Sequence, residues 1–247
     1  MKFQLEICAT TIHSAINAER GGANRIELCD NLWEGGTTPS HASIEKAIEQ
    51  LSIPVFVLIR PRGGDFTYTD LEFDLMKREI EHCKQLGVGG IVSGVLLPDG
   101  AIDKVRTKIL MEQSEGLPFT FHRAFDQVPD PISALDDLIE LDVDRVLTSG
   151  QECTAAKGKA LIGDLIKFAQ DQIIILPGGG INIDNIESLV KVGCTEFHLS
   201  AKEYVQRNSI YPIKVPMNGS ADIPEEKLTV SSIEKIRQLR SKLDEKA

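Results

Sequence analysis

Short apolar runs alternate along this chain with longer segments in which apolar residues recur at helical spacing. The apolar runs are rich in β-branched residues and begin roughly 20–35 residues apart, an interval typical of repeated strand-helix units. Eight such runs occur, at residues 3–8, 25–29, 55–60, 90–96, 119–123, 145–149, 173–177 and 195–200. The pattern therefore predicts a parallel sheet with helices between consecutive strands.

The segments between these runs carry recognisable helix ends. Ser40 stands as an N-cap before an apolar stripe, and Asp130 followed by Pro131 gives a cap and a first-turn proline. Eight strands with intervening helices in 247 residues predict a single-domain (β/α)₈ TIM barrel. The alternative is a doubly wound open sheet, which usually carries a glycine-rich loop after its first strand. Here the glycine triplet Gly178–Gly180 follows the seventh.

The single domain 1–247 is predicted to contain three segments, whose limits lie where the sequence pattern changes. The barrel is predicted to cover about residues 3–201. Over residues 202–230 the periodicity fades and prolines punctuate the chain, which predicts an irregular loop. Residues 231–244 regain an apolar stripe, with Ser231 and Glu234 at capping-box spacing, and predict a C-terminal helix.

Charge and cysteine content narrow the function classes. The chain has 27 Lys and Arg against 37 Asp and Glu, so its net charge of −10 disfavours nucleic acid as a partner. The N-terminus enters a strand pattern directly, and no apolar run is long enough to span a membrane, so we expect a soluble cytoplasmic protein. The five cysteines are widely spaced without a CxxC motif, which predicts reduced thiols.

Polar side chains stand at the ends of most predicted strands, where a barrel of this type carries its functional groups. The first two strands end in the same pattern, LEIC and IELC. Because strand side chains alternate between faces, Glu6 and Cys8 share one face, and Glu27 and Cys29 share one face of the next strand. The carboxylates and thiols are therefore expected to face the barrel interior.

Arginines at later strand ends suggest a counter-charge or an anion site. Arg60, Arg62 and Arg123 are the nearest cations by strand order, and either balance the interior carboxylates, hold an anionic ligand, or do both. The glycine-rich segment after strand seven and the serine after strand eight favour an anion, because such loops present backbone N–H groups to phosphate. The predicted anion-binding residues are Arg60, Arg62, Arg123, Gly178, Gly179, Gly180 and Ser200.

Strand five ends in a group suited to proton transfer. His122 lies beside an arginine with Asp126 close behind, which is typical of a general acid or base, although a hydrogen-bonded structural histidine has the same pattern. His198 is expected to alternate away from the interior. Arg60, Arg62 and Asp65 have an alternative interpretation as a salt-bridge network that fixes their loop.

Five motifs in register resemble the CutC copper-homeostasis family over about Phe3 to Ala201. They are IELC…EGGTTPS, IRPRGGDF, FHRAFD, RVLTSG and PGGGI…EFH…SA. The resemblance implies a cytoplasmic (β/α)₈ barrel that handles copper, and a homodimer. It also implies copper(I) ligation by cysteines that match Cys8 and Cys29. Soft copper(I) favours thiolates, and adjacent strands lie ~4.8 Å apart, so the two thiolates can converge on one ion.

Two hypotheses follow. The first is a copper(I)-binding or copper-buffering protein with Cys8 and Cys29 as metal ligands. The second is an enzyme acting on a small anionic metabolite that bears phosphate or carboxylate, with no organic cofactor evident. Its candidate catalytic residues are Glu6, Glu27, His122 and Asp126. Less specific alternatives are a divalent ion held by Glu6, Glu27 and His122, an assembly scaffold, and two cysteines that only fill the core.

Overall fold

A computed structural model describes residues 3–206, 215, 217, 225 and 227–246. Its central sheet has eight strands in the order β7-β6-β5-β4-β3-β2-β1-β8, and each hydrogen-bonded pair is parallel. The strands are β1 (Gln4–Ala9), β2 (Arg25–Leu28), β3 (Val55–Leu58), β4 (Gly90–Ser93), β5 (Phe119–Phe121), β6 (Arg145–Thr148), β7 (Ile174–Pro177) and β8 (Glu196–Leu199). A bridge between Gly178 and His198 joins β7 to β8. The predicted (β/α)₈ TIM barrel is therefore confirmed.

Seven helices follow the first seven strands in turn. They are α1 (Ile12–Gly21), α2 (His41–Gln50), α3 (Asp70–Leu86), α4 (Lys104–Ser114), α5 (Pro131–Glu140), α6 (Lys159–Ala169) and α7 (Ile186–Val190). Ser40 accepts a hydrogen bond from Ser43 N–H, and Asp130 accepts two from the first turn of α5, as the predicted caps require. No helix in the described part of the chain is long and apolar enough to cross a bilayer.

The eighth strand-helix unit differs from the prediction. The ends of the segment expected to be an irregular loop form an antiparallel pair, β9 (Lys202–Gln206) and β10 (Lys227–Ser231), and most residues between them lie outside the described part. The terminal helix α8 (Ile233–Asp244) begins after Ser232, without the predicted Ser231 side-chain cap. It packs on α1, where Ile236 approaches Gly21 so closely that a Cβ there would lie 2.6 Å away. The helix therefore completes the outer ring of the barrel.

Apolar side chains form two separate clusters. Outward-facing Leu5, Ile7, Ile26 and Leu28 belong to the large core between the sheet and its helices, as the alternation in LEIC and IELC predicts. A small cluster inside the barrel consists of Cys8, Cys29, Phe56, Leu58 and Val92. Inside the barrel, the strands β1, β2, β6 and β8 also carry charged side chains, namely Glu6, Arg25, Arg145 and Glu196.

Candidate metal centre

A cavity of about 420 Å³ opens at the carboxyl ends of the strands. Its lining contains both thiols of the first two strands, together with Glu27 and His198. The lining also includes Arg60, His122 and Arg123. The sequence pattern thus brings most of its predicted site residues into one space, as expected for the carboxyl-end face of a TIM barrel.

Cys8 and Cys29 form a pair at this cavity. Their Sγ atoms are 3.4 Å apart, and both side chains are buried. The hydrogen bond with Cys29 and burial together hold the pKa of Cys8 well above its ordinary value, so the thiol stays protonated until a bound metal ion displaces the proton. A soft metal ion that binds thiolates does this by releasing protons to solvent.

His198 lies beside the thiol pair, so the expectation that it points away from the interior was wrong. Its Nδ1 is 2.6 Å from Glu6 Oε1, and its Nε2 is 3.7 Å from Glu27 Oε2. One ligand atom each of Cys8, Glu27 and His198 lie within 4.8 Å of one another. A carboxylate on one ring nitrogen orients the other, which is the usual support for a histidine that binds metal.

The pKa values of these groups follow from burial and from their neighbours. Burial alone would raise the pKa of Glu6, but the charges of Arg25 and His198 outweigh it and lower the pKa to about 2. Burial raises the pKa of Glu27. Burial would lower the pKa of His198, but the carboxylates of Glu27 and Glu6 raise it well above its ordinary value. Glu6 and His198 therefore form a buried ion pair at neutral pH.

A buried ionic layer lies below the thiols and supports them. Arg25 donates from Nε to Glu6 and from Nη2 to Glu196, the latter at 2.5 Å. Arg145 Nε is 3.4 Å from the same Glu196 oxygen. Both guanidinium groups lie over the ring of Phe56, with 5.1 and 5.5 Å to its centroid. Of the alternatives left open for Arg60, Arg62 and Arg123, balancing the interior carboxylates is not supported, since Arg25 takes this role for Glu6.

Arg60 lies in the cavity wall and is bound by backbone oxygens. Its Nη1 donates to the carbonyls of Glu34 and Gly36 at 2.7 and 2.6 Å, and its Nη2 to that of Gly64 at 2.9 Å. Arg62, by contrast, pairs with Asp65 and Glu72, is 38% exposed and does not line the cavity. The salt-bridge interpretation of this loop thus describes Arg62 but not Arg60.

His122 is buried at the end of β5 and faces the same cavity. Its Nδ1 accepts the Ala124 N–H at 3.3 Å, which places the proton of the neutral ring on Nε2. Burial, and then the nearby charge of Arg60, lower the pKa of His122 to about 3. The ring is therefore a neutral hydrogen-bond donor near pH 7, and it lies apart from the group formed by Cys8, Glu27 and His198.

Asp126 is buried beside the cavity and does not line it. Its carboxylate accepts hydrogen bonds from Thr148 Oγ1, the Ser149 N–H and the Gln151 N–H, and pairs with Arg123 Nε at 2.7 Å. These bonds leave it little capacity to act on a ligand. It holds Arg123, whose Nη2 also donates to Ser149 Oγ at 2.9 Å.

The glycine-rich loop contributes in part. Gly179 and Gly180 line the cavity with left-handed φ values of 98° and 71°, and Ser200 lines it from the end of β8. Gly178 belongs to the strand bridge instead, where a Cβ would lie 2.6 Å from Leu147. The loop therefore places two of its three predicted glycines at the site.

Sequence reasoning missed Arg25, Arg145 and Glu196, and two of them, Arg25 and Glu196, share one signal. Arg25 stands two residues before Glu27, and Glu196 two residues before His198, so period-two alternation puts each pair on one strand face. Arg25 and Glu196 lie deeper in the barrel than the strand ends, so a search limited to strand ends does not find them.

The fold and the site together define a TIM-barrel protein with a thiol pair, an imidazole and a carboxylate at its mouth, a donor set suited to a thiophilic metal ion. The family model described as "CutC family" matches residues 3–203. The chain belongs to the CutC family.

Relatives across distant organisms agree with this membership. A human protein named copper homeostasis protein cutC homolog is 46% identical over 97% of this chain and 88% of its own length. A Chromobacterium violaceum family protein CutC is 42% identical over 97% of this chain and 98% of its own length. The crystal structure of a candidate copper homeostasis protein CutC from Streptococcus agalactiae, 33% identical, superposes with a TM-score of 0.76 over 80% of this chain and 98% of that one.

Proposed function

We propose that this protein binds copper(I) through the thiolates of Cys8 and Cys29 and thereby buffers copper in the cytoplasm. The observation that carries the proposal is the 3.4 Å separation of the two Sγ atoms at a cavity open to solvent. Copper(I) is soft and prefers thiolate ligands, so a thiol pair suits it better than a harder cation. The copper-homeostasis names of the relatives support the same ion.

His198 completes the donor set in this proposal. Its ring is held through Nδ1 by Glu6, and its Nε2 faces the side of Glu27 and Cys8. Binding of copper(I) replaces the thiol protons and the Nε2 proton with the metal. The affinity therefore falls as pH decreases, because protons compete for the same ligand atoms.

A competition titration with the copper(I) chelator bathocuproine disulfonate, under anaerobic conditions, tests the proposal. The wild-type protein is expected to withdraw one copper(I) per chain, and Cys8→Ser or Cys29→Ser to weaken binding by roughly 100-fold, about 2.7 kcal/mol. Cys153→Ser is the matched control, because this exposed thiol lines the same cavity outside the pair. Unchanged affinity in both pair variants would show that copper binds elsewhere.

The contacts do not favour the alternative of an acid-base enzyme with Glu6, Glu27, His122 and Asp126 in the catalytic roles. Glu6 is paired with Arg25 and His198, and Asp126 is saturated with hydrogen bonds. His122 is a weak base because its pKa is about 3. Five residues of the predicted anion site do line the cavity, namely Arg60, Arg123, Gly179, Gly180 and Ser200.

We also expect a cytoplasmic homodimer, in line with the family resemblance. Native mass spectrometry of gently purified protein reports bound metal and subunit number in one spectrum. A dimer with one copper per chain is the expected mass.

A further inference from the structure

The cavity is much larger than a copper ion requires. Its volume is about 420 Å³, and the thiols occupy only one part of the lining. The rest includes Arg60, Arg123 and Lys202. Positive charge concentrated in one cavity of a chain with net charge −10 favours an anionic ligand over a neutral one.

Two buried donors in this wall lack partners. Arg60 is 4% exposed, and no carboxylate among the described residues pairs with it. Its Nε and the Nε2 of His122 are buried without a hydrogen bond within the same part of the chain. Both side chains contact Phe66, with 4.9 Å from the Arg60 guanidinium to the Phe66 centroid and 4.9 Å between the Phe66 and His122 centroids. Unsatisfied buried donors of this kind are costly unless a ligand or water accepts from them.

Arg123 and Lys202 extend the wall toward solvent. Asp126 and Ser149 hold Arg123 through Nε and Nη2, which leaves Nη1 beside Gly179, where a Cβ would lie 3.7 Å away. Lys202 is exposed, and its Nζ lies 5.7 Å from the ring centroid of Trp33. A guanidinium fixed in this way is preorganised for a carboxylate.

Thiols and cationic groups in one cavity suit a ligand that presents a thiolate-bound metal at one end and a carboxylate at the other. Copper(I) is soft and binds thiolates in preference to water, so a small thiol can carry it. Resting on the copper function above, we propose that copper(I) enters as its complex with a small carboxylate-bearing thiol, whose carboxylate binds at Arg60, His122 and Arg123 while the metal passes to Cys8 and Cys29.

The transfer is a ligand exchange without a change of oxidation state. Two copper–sulfur bonds to the carrier break, and two form to Cys8 and Cys29. The two protons lost by the protein thiols go to the departing carrier thiolates, and the proton that leaves His198 Nε2 goes to solvent, so one bis-thiolate complex yields one loaded site and two free thiols. No oxidant or reductant is needed.

Stopped-flow transfer from copper(I)–glutathione and from copper(I)–glutathione dimethyl ester tests the proposal, since the two carriers share a thiol and differ in their carboxylates. The wild-type protein is expected to accept copper about tenfold faster from the free acid. The net charge of −10 alone would make transfer from the ester the faster of the two. Faster transfer from the free acid would therefore show the effect of the cationic side chains in the cavity wall.

Three variants make the test specific. Arg123→Gln and Lys202→Gln should each slow transfer from glutathione several-fold and leave transfer from the ester unchanged. Lys46→Gln, an exposed cation of α2 outside the cavity, should change neither rate. Lys202 is exposed, so Lys202→Gln is expected to leave the fold intact. This variant therefore tests the proposal even if Arg123→Gln disturbs the fold.

The outcomes separate the two proposals. If the chelator titration shows tight binding at Cys8 and Cys29 while both carriers deliver copper at equal rates, the carrier inference is wrong and the copper function stands. Equal slowing of both carriers by Lys202→Gln, whose side chain is exposed, also overturns the inference. If the wild-type protein binds no copper from chelator or carrier, the proposed function fails, and the inference fails with it.

Discussion

His122 shows how a single buried side chain couples the site to pH. Burial and Arg60 lower its pKa to about 3, whereas its ordinary value is 6.5. Between these values the unfolded chain binds a proton that the folded protein excludes. The free energy of unfolding contributed by His122 therefore decreases as pH falls below 6.5, and recovers as pH rises.

Replacement of His122 by Asn should remove this contribution while retaining a side chain able to cap the turn. We expect the free energy of unfolding of the wild type, relative to that of His122→Asn, to fall by about 1.4 kcal/mol per unit between pH 6 and pH 4. Urea denaturation at several pH values measures the difference. A difference that stays constant with pH would mean that His122 becomes protonated over the same pH range in the folded protein as in the unfolded chain.

The inward positions of Glu6, Cys8, Glu27 and Cys29 were predictable from the alternation of side chains along a strand. The partners of the arginines were not. Arg60 donates to carbonyls of loop residues such as Glu34 and Gly64, and loop conformation depends on contacts distant in sequence. Strand order suggests which cations are near the interior, but not which acceptor each one reaches.

The strands β1, β2, β6 and β8 are tied together inside the barrel by the buried ionic layer. Arg25 of β2 contacts Glu6 of β1 and Glu196 of β8, and Arg145 of β6 reaches Glu196 as well. Because each charge is desolvated, the layer depends on complete pairing more than on the strength of any one pair.

Arg25→Met should therefore destabilise the protein strongly, because it leaves Glu6 without its guanidinium partner in the barrel interior. We expect a loss of about 3–5 kcal/mol in the free energy of unfolding, measured by urea denaturation at pH 7. Lys46→Met, which breaks the exposed pair with Glu49, is the matched control and should have no measurable effect. A loss for Arg25→Met as small as that of the control would indicate that water reaches this layer.

At the scale of the whole molecule, eight apolar runs with helices between them were enough to predict the closed parallel barrel. The role of α8 was harder to predict, because β9 and β10 separate it from β8, and its packing against α1 links positions such as Gly21 and Ile236 far apart in sequence. Lys202, the first residue of β9, lines the cavity, a placement that no local sequence pattern predicts.

The barrel brings together one thiol pair, Cys8 of β1 and Cys29 directly after β2, and we propose that this pair binds copper(I). A crystal structure of protein loaded anaerobically with copper(I), with anomalous data at the copper edge, tests that claim most directly. The predicted result is one anomalous peak per chain between the Sγ atoms of Cys8 and Cys29, on the side of His198. A peak on Cys153 or another surface group, with the Cys8–Cys29 pair left without metal, would contradict it.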